Sequence, residues 1–289
     1  MLAWAFNEHG LVRDFLDRAF DLLEKNIQDY ELVFVDDGST DGTTEIVENY
    51  AKSENRLKLI AYKPNKGIAS AATQAFSAAS KEFLFWQTVD WSYDLKNLRI
   101  FLELLKHFTI VKTVRPVPER ILSHIPLIRS VYRVKTRSDT LAKAMISLGN
   151  YYLLRVLYGA AFHDFQGIYL CPTALIQSLQ LTANSSFLGP QILFESHLRG
   201  ASFIEVPARF MPRHTGEAKG TKWKAIMDSL LDLLGNLSRL GPRVHPFAKG
   251  SKPFRISRAS EPFFLEEEVL RLIIPLLEEF RHVRNPRSL

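Results

Sequence analysis

Four carboxylates and two carboxamides stand where the pattern of this sequence turns from apolar to polar. Asn7 and Glu8 close an apolar run from Met1 to Phe6, and Asp36 and Asp37 close Leu32 to Val35. Asn65 follows Leu57 to Tyr62, and Asp90 follows Phe83 to Val89. Short runs rich in β-branched and aromatic residues read as buried strands. If those strands are parallel, their carboxyl ends share one edge of a sheet, where open α/β folds bind ligands. Like charges gathered at one edge repel each other unless something is bound between them. A divalent cation carrying phosphate oxygens is one answer. Hydrogen bonds to the base and ribose of a nucleotide are another.

The intervening elements bring these ends together. Gly38 and Gly42 permit a tight turn, after which Ser39, Thr40 or Asp41 is placed to cap a helix over Thr43–Ala51. Helices are also expected over Leu11–Lys25, the Ala/Ser-rich Ile68–Ser80 and Leu95–Phe108, with a fifth strand over Thr109–Val114. Strict β-α alternation predicts an α/β fold, a mostly parallel sheet with helices on both faces, over a nucleotide-binding half ending near residue 115. Pro116 and Pro118 then break the rhythm. A long helix over Thr140–Tyr158, a turn and short strand in His163–Cys171, a helix over Pro190–Arg199 and a strand in Ser202–Phe210 make an acceptor half, 116–220. The remainder, 221–289, reads as a C-terminal extension of amphipathic helices. Trp223, Ile226, Met227, Leu230, Leu231, Leu234 and Leu237 are expected on one face of Lys222–Leu240. A Pro/basic connector, Gly241–Ser260, leads to a helix over Phe263–Phe280 interrupted or kinked at Pro275.

The 289 residues suffice for one large core, and 46% hydrophobic with 24% charged residues is the balance of a folded globular chain. One cysteine, Cys171, excludes an internal disulfide and a cysteine-based zinc cluster. No apolar run reaches the ~18 residues of a membrane span. Met1 opens into a strand-like run that meets acid at Glu8, so no secretory leader is expected and the chain is read as cytoplasmic. The net charge is +6. Lys112 to Arg137 holds seven Lys/Arg against Glu119, and Gly241 to Ser260 holds five and no acid. Such stretches suit phosphate groups or peripheral contact with an anionic membrane surface on its cytosolic face. No zinc-finger, basic-zipper or RNA-binding pattern accompanies them, so nucleic acid is not the expected partner.

The strand-end motifs resemble those of the inverting family 2 glycosyltransferases of the GT-A fold. The first is Trp4-Ala5-Phe6-Asn7-Glu8, with Trp4 in place of the usual proline. The second is Val35-Asp36-Asp37-Gly38-Ser39-Thr40-Asp41-Gly42-Thr43, which matches throughout. Asn65-Lys66-Gly67 and Thr88-Val89-Asp90 follow, with Thr88 replacing the first acid of an Asp-x-Asp. The resemblance covers roughly residues 1–220. It implies a GDP- or UDP-sugar donor and a divalent cofactor, Mg²⁺ or Mn²⁺. Ala5, Phe6, Asn7, Glu8, Asp37 (or Asp36), Gly38, Asn65, Gly67 and Thr88 are implied to line the donor pocket, and Asp90 to hold the metal.

The later motifs are similar to those of dolichol-phosphate mannosyltransferases and bacterial polyprenyl-phosphate sugar transferases. They are Lys143, Ser147, Asn150 and Arg155 on the long helix, Asp164-Phe165-Gln166-Gly167, Glu205-Val206-Pro207, Arg213 and Gly216-Glu217-Ala218-Lys219. Ile168-Tyr169 stands where those proteins carry Phe-Arg. The charge developing on a nucleoside diphosphate leaving group needs cations beside Asp90 and its metal, for which Arg115, Lys143, Arg213 or Lys219 are the candidates; with Ser147 they make the expected phosphate- or acceptor-binding set. A lipid phosphate is already a nucleophile and needs only cations. A glycan or glycolipid hydroxyl needs a carboxylate base, and Asp164 and then Glu195 are the candidates. A third reading makes the chain a non-catalytic nucleotide-sugar-binding scaffold, with Thr88 marking lost metal binding.

Overall fold

The computed structural model describes residues 1–115, 141–211, 223–244, 254–259 and 265–279; side chains are described for these except 141–148. Strands β1 (Leu2–Ala5), β2 (Leu32–Asp36) and β3 (Leu57–Ala61) form a parallel sheet with β1 beside β2 and β2 beside β3. A second sheet runs in the order β4 (Phe83–Leu84), β6 (Tyr169–Pro172), β5 (Ile110–Val114), β7 (Phe203–Pro207), β8 (Ile256–Arg258). Only β6 is antiparallel to its neighbours; β5, β7 and β8 are parallel.

Leu2 joins the two sheets. It donates to the Phe85 carbonyl at 2.8 Å and accepts from Gln87 N–H at 3.1 Å, so the chain after β4 runs alongside β1. This corrects the expected strand Phe83–Val89. The segment is extended, but it gives its first two residues to β6 and the next three to β1, so regular pairing stops at Leu84.

Alternate strand residues feed two cores, as a period of two requires. Ala3, Ala5, Phe34, Val111, Ile204 and Val206 face one side; Leu2, Val33, Val35, Ile110, Tyr169 and Phe203 face the other. The first side is covered by α1 (His9–Asn26), which buries Val12, Phe15, Leu16, Ala19, Phe20 and Leu23 at helical spacing, by α4 (Leu98–Leu104) and by α9 (Glu267–Glu279). The α2 helix (Thr43–Ala51) packs on α1. The second side is covered by α3 (Ile68–Ala78), whose Ala69, Ala71, Ala72 and Ala75 let it lie close on β1 and β2. Beside it lie α5 (Leu141–Tyr158), the short α6 (Thr173–Gln177), α7 (Leu188–Leu198) and α8 (Trp223–Val244). Cys171 is fully buried, and burial pushes its thiol well above the ordinary range, so it acts as a small core residue.

One further expectation is corrected. The Pro/basic connector holds β8, which extends the sheet from β7. In α8 the inward residues are Leu233, Asn236, Leu240 and Val244, while Trp223, Leu231 and Leu234 of the expected apolar face are 74%, 62% and 49% exposed. A helix can bury only one stripe against α5 and α7, and the smaller stripe reaches them. The C-terminal segment is also tied to the start of α4: Glu279 accepts from Asn97 Nδ2 at 2.7 Å and pairs with Lys96 at 2.7 Å.

Candidate active site

The carboxyl ends of β1 and β2 meet as expected, but their acids do different work. Asn7 has φ 54°, a left-handed conformation that asparagine tolerates better than most residues. There it receives Thr40 N–H on Oδ1 at 2.8 Å and donates its own N–H to Ser39 Oγ at 2.9 Å. Glu8 N–H donates to Thr43 Oγ1 at 3.0 Å. Asp41, among the expected caps, accepts from Thr43 N–H at 3.1 Å. The β1 end and the β2–α2 turn are thus one hydrogen-bonded unit.

Asp36 is fully buried beneath this unit, taking Ser39 N–H at 3.0 Å, Ser39 Oγ at 2.5 Å and the Thr44 hydroxyl. It organises the turn. Asp37 reaches toward the end of β3. Oδ1 accepts from Tyr62 Oη at 2.8 Å and Lys66 N–H at 2.7 Å; Oδ2 accepts from Asn65 Nδ2 at 2.8 Å and Gly67 N–H at 2.9 Å. Burial and then Asp37 push the Tyr62 phenol up to about 12, so it remains a donor. The Asn65–Gly67 turn is therefore built around one carboxylate. Gly38, at φ +80°, allows this approach: a Cβ there would lie 2.7 Å from Asn65 N. Its contribution is clearance.

Asp90 lies at the next strand end along the sheet, in a turn. Ser92 Oγ donates to Asp90 Oδ1 at 2.6 Å, and Ser92 N–H donates to Thr88 Oγ1 at 3.1 Å. Thr88 thus braces the loop that presents Asp90. Trp91 follows at φ 53°, a genuine outlier for so bulky a residue. Its ring packs against Phe15 and under the Arg18 guanidinium, 4.6 Å from the centroid. Such conformations cost about 1–3 kcal/mol and persist where surrounding contacts over-determine them.

The turn then pairs with the segment after β7. Asp94 N–H donates to the Arg209 carbonyl at 3.0 Å and Met211 N–H to that of Ser92 at 2.8 Å. Asp94 Oδ1 accepts from Lys96 N–H at 3.0 Å, so it serves the start of the next helix. Tyr93 and Phe210 stack edge to face at 5.4 Å, and Arg115 lies over Phe210 at 5.3 Å. Arg115 meets Asp164 through Nε at 2.8 Å and Nη2 at 3.1 Å. Burial works against the guanidinium charge, but Asp164 and Tyr93 hold its pKa above the ordinary value, so it stays protonated. An anion-binding candidate and a base candidate have become one buried ion pair.

Glu195 is elsewhere. On α7 it pairs with Arg239 of α8 and is 8% exposed at the side chain. It secures the packing of α8 on α7. Lys143 and Ser147 lie on α5, with side chains outside the described residues; Arg213 and Lys219 also lie outside them. Tyr62, Ser92, Tyr93 and Trp91 were missed. Ser92, two residues beyond an acid, carries the one local signal for an Asx-like turn; Tyr62 and Tyr93 read as ordinary strand or loop aromatics.

The donor set suits a hard divalent cation with few protein ligands. Such ions take one or two carboxylates and complete their shell with phosphate oxygens and water. Asp90 is the carboxylate of this turn, held by the Ser92 hydroxyl. Among the described residues no group of three or more His, Cys, Asp or Glu side chains converges into a site made wholly by protein.

Comparison with known proteins places this geometry. EpsE of Bacillus subtilis is 33% identical over 96 residues, 32% of this chain and 34% of that protein. The cholesterol galactosyltransferase of Borreliella burgdorferi is 29% identical over 86 residues, 30% of this chain and 24% of that one. The match thus spans about a third of the first relative's length and a quarter of the second's. Glucosyl-3-phosphoglycerate synthase of Mycobacterium tuberculosis, crystallised with phosphoglyceric acid, superposes with a TM-score of 0.55 at 16% identity, over 82% of this chain and 79% of that one. Its complex with Mn²⁺, UDP-glucose and phosphoglyceric acid gives a TM-score of 0.54, over 82% and 78%. These likenesses support the α/β GT-A architecture. The sequence model described as glycosyl transferase family 2 matches residues 4–153, from the end of β1 well into α5. With more than half of its residues inside that match, this chain belongs to glycosyl transferase family 2.

Proposed function

We propose that the chain is an inverting glycosyltransferase that moves a sugar from a nucleoside diphosphate to a polyprenyl phosphate. The observation that carries this reading is the line of strand ends. The Asp37-centred turn, then Asn7 and Glu8, then Asp90 succeed one another along one edge, followed by Arg115 and Asp164. The β1–β3 ends suit the base and ribose. Asp90 would hold a divalent ion against the diphosphate, which when bound stabilises the leaving group's charge. The neighbours crystallised with Mn²⁺ or Mg²⁺ support that cofactor. Residues 1–115 serve as the donor half and 116–220 as the acceptor half.

Two observations support a phosphate acceptor. Asp164 already receives Arg115 through two bonds, which makes it a poor general base. Secondly, α5 and α8 pack together and turn Tyr152, Leu153, Val156, Trp223, Leu231 and Leu234 outward. α5 contains no acid, and basic stretches lie next to both helices in sequence. Aromatic and aliphatic residues beside cations suit an anionic bilayer surface. No helix among the described residues is long and apolar enough to cross a membrane.

A hydroxyl acceptor is the second reading, favoured by the name of the cholesterol galactosyltransferase relative. Asp164 would then have to leave Arg115 to act as base. Calorimetry with UDP- and GDP-sugars, with and without Mn²⁺ or Mg²⁺, identifies donor and metal. Radiolabelled donor is then offered to undecaprenyl or dolichyl phosphate and to a glycan. Label in a lipid-phosphate product supports the first reading; label in the glycan alone sinks it. Tight nucleotide binding without turnover of any donor favours the scaffold.

A further inference from the structure

Behind Arg115 and Asp164 lies a second set of charges that the proposed reaction does not use. Lys112 on β5 stands opposite Glu205 on β7, and Glu205 stands opposite Arg258 on β8. Glu205 accepts the His163 N–H at 3.0 and 3.3 Å through its two oxygens and lies 2.8 Å from His163 Nδ1. Lys112 Nζ is 3.5 Å away and Arg258 Nε 3.6 Å. Arg258 also donates to the Ala161 carbonyl at 2.9 Å. The Lys112 and Glu205 side chains are 0% and 1% exposed.

Burying two charges carries a desolvation cost that an apolar pair at the same register avoids, so sheet stability alone is a weak reason for the cluster. Burial would raise the Glu205 pKa, but Lys112 and then His163 bring it below the ordinary value, so the carboxylate stays charged. What that carboxylate grips is the backbone at His163. The next residue is Asp164, the partner of Arg115.

We propose that Glu205, braced by Lys112 and Arg258, is a positioning residue that fixes the His163 backbone and thereby sets how Asp164 meets Arg115. The proposal rests on the reading of that pair as part of the transfer site. It gives β8, from the C-terminal segment, a part in shaping the acceptor half.

Two variants test it. Lys112→Met/Glu205→Met removes both buried charges together and orphans neither; Arg258→Gln leaves that pair intact and releases Ala161. Amide hydrogen exchange is read first, since it needs no substrate. Exchange over residues 161–166 should rise about 10-fold or more while β1–β3 remain protected. Sugar transfer is read second. kcat should fall about 10- to 100-fold with KM for the nucleotide sugar unchanged. In a combined variant the loss should not add to that of Asp164→Asn. Unchanged exchange over 161–166 in a folded variant overturns the anchoring. Faster exchange with undiminished kcat, or losses that multiply with Asp164→Asn, overturns the link to transfer. A wild-type chain that turns over no donor counts against the proposed function, while the exchange result still decides the anchoring. If the double variant does not fold, Arg258→Gln carries both readouts.

Discussion

Arg115 and Asp164 meet through two N–H···O bonds, with side chains only 9% and 4% exposed. A paired, withdrawn guanidinium is a shaped surface more than a loose counter-charge. Any phosphate that approaches must share Arg115 with Asp164.

Arg115→Lys keeps the charge but loses the planar fork, and lysine does not replace arginine in a two-bond contact. Stability should fall by about 1–3 kcal/mol. Arg115→Ala leaves Asp164 buried without its cation and should cost about 3–5 kcal/mol. Urea denaturation measures both, and equal midpoints for the two variants would contradict the pairing.

Gly38→Ala places a methyl group 2.7 Å from Asn65 N at a φ that disfavours side chains. The turn held by Asp37 must then shift. We expect a loss of about 1–3 kcal/mol, with weaker binding of UDP or GDP in calorimetry. Unaltered nucleotide affinity would detach this turn from the donor pocket.

Cation affinity should respond at two positions in opposite directions. Asp90→Asn removes the carboxylate and should weaken Mn²⁺ binding, titrated in the presence of nucleoside diphosphate, by about 10- to 100-fold. Thr88→Asp adds a carboxylate on the same loop and should strengthen it, since ligand charge tunes affinity. Insensitivity of Mn²⁺ binding to Asp90→Asn would remove Asp90 from the metal.

Glu31 supplies a pH signature remote from the site. Burial alone would raise its pKa, but Lys58 at 2.5 Å and the Ser80 amide and hydroxyl bring it down from 4.5 to about 2. Folding favours the ionised form. The stabilisation is therefore full above pH 4.5 and fades as the pH drops toward 2. It amounts to about 2–3 kcal/mol. Urea midpoints at pH 6 and pH 3 should differ less for Glu31→Gln than for the parent chain; an equal difference refutes the assignment.

Leu231→Glu with Leu234→Glu alters two residues that are largely outside the core. Melting temperature should hold, while co-sedimentation with phosphatidylglycerol vesicles should fall about 10-fold. A parent chain that ignores such vesicles, or a dimer in solution that the double variant dissociates, would reassign this face.

The strands, the helices between them and the common edge of the strand ends were legible in the sequence because each rests on local periodicity. The division of labour within Asp36-Asp37 was not. One residue of register decides which acid points under the turn and which reaches Asn65, and either choice satisfies the same pattern. Arg115 and Asp164 were singled out separately; their pairing depends on β5 lying beside β6. For α8 the longer apolar stripe pointed outward, because packing follows the neighbours available. β8 was hidden because three residues among prolines and cations carry no alternation to read, and only β7 gives them a partner.

The way β8 enters the sheet orders the events of folding. β1, β2 and β3, with the helices between them, fall within the first 61 residues and pair with near neighbours in sequence. The second sheet gathers residues 83, 110, 172, 203 and 256 into adjacent places, and its edge waits for β8. Pairings so far apart close loops late and slowly. On an elongating ribosome the nucleotide end can thus condense first, and Arg258 reaches Glu205 only after β8 has emerged. Competence to bind a donor should therefore precede competence to transfer it, an order visible in pulse-proteolysis of stalled chains.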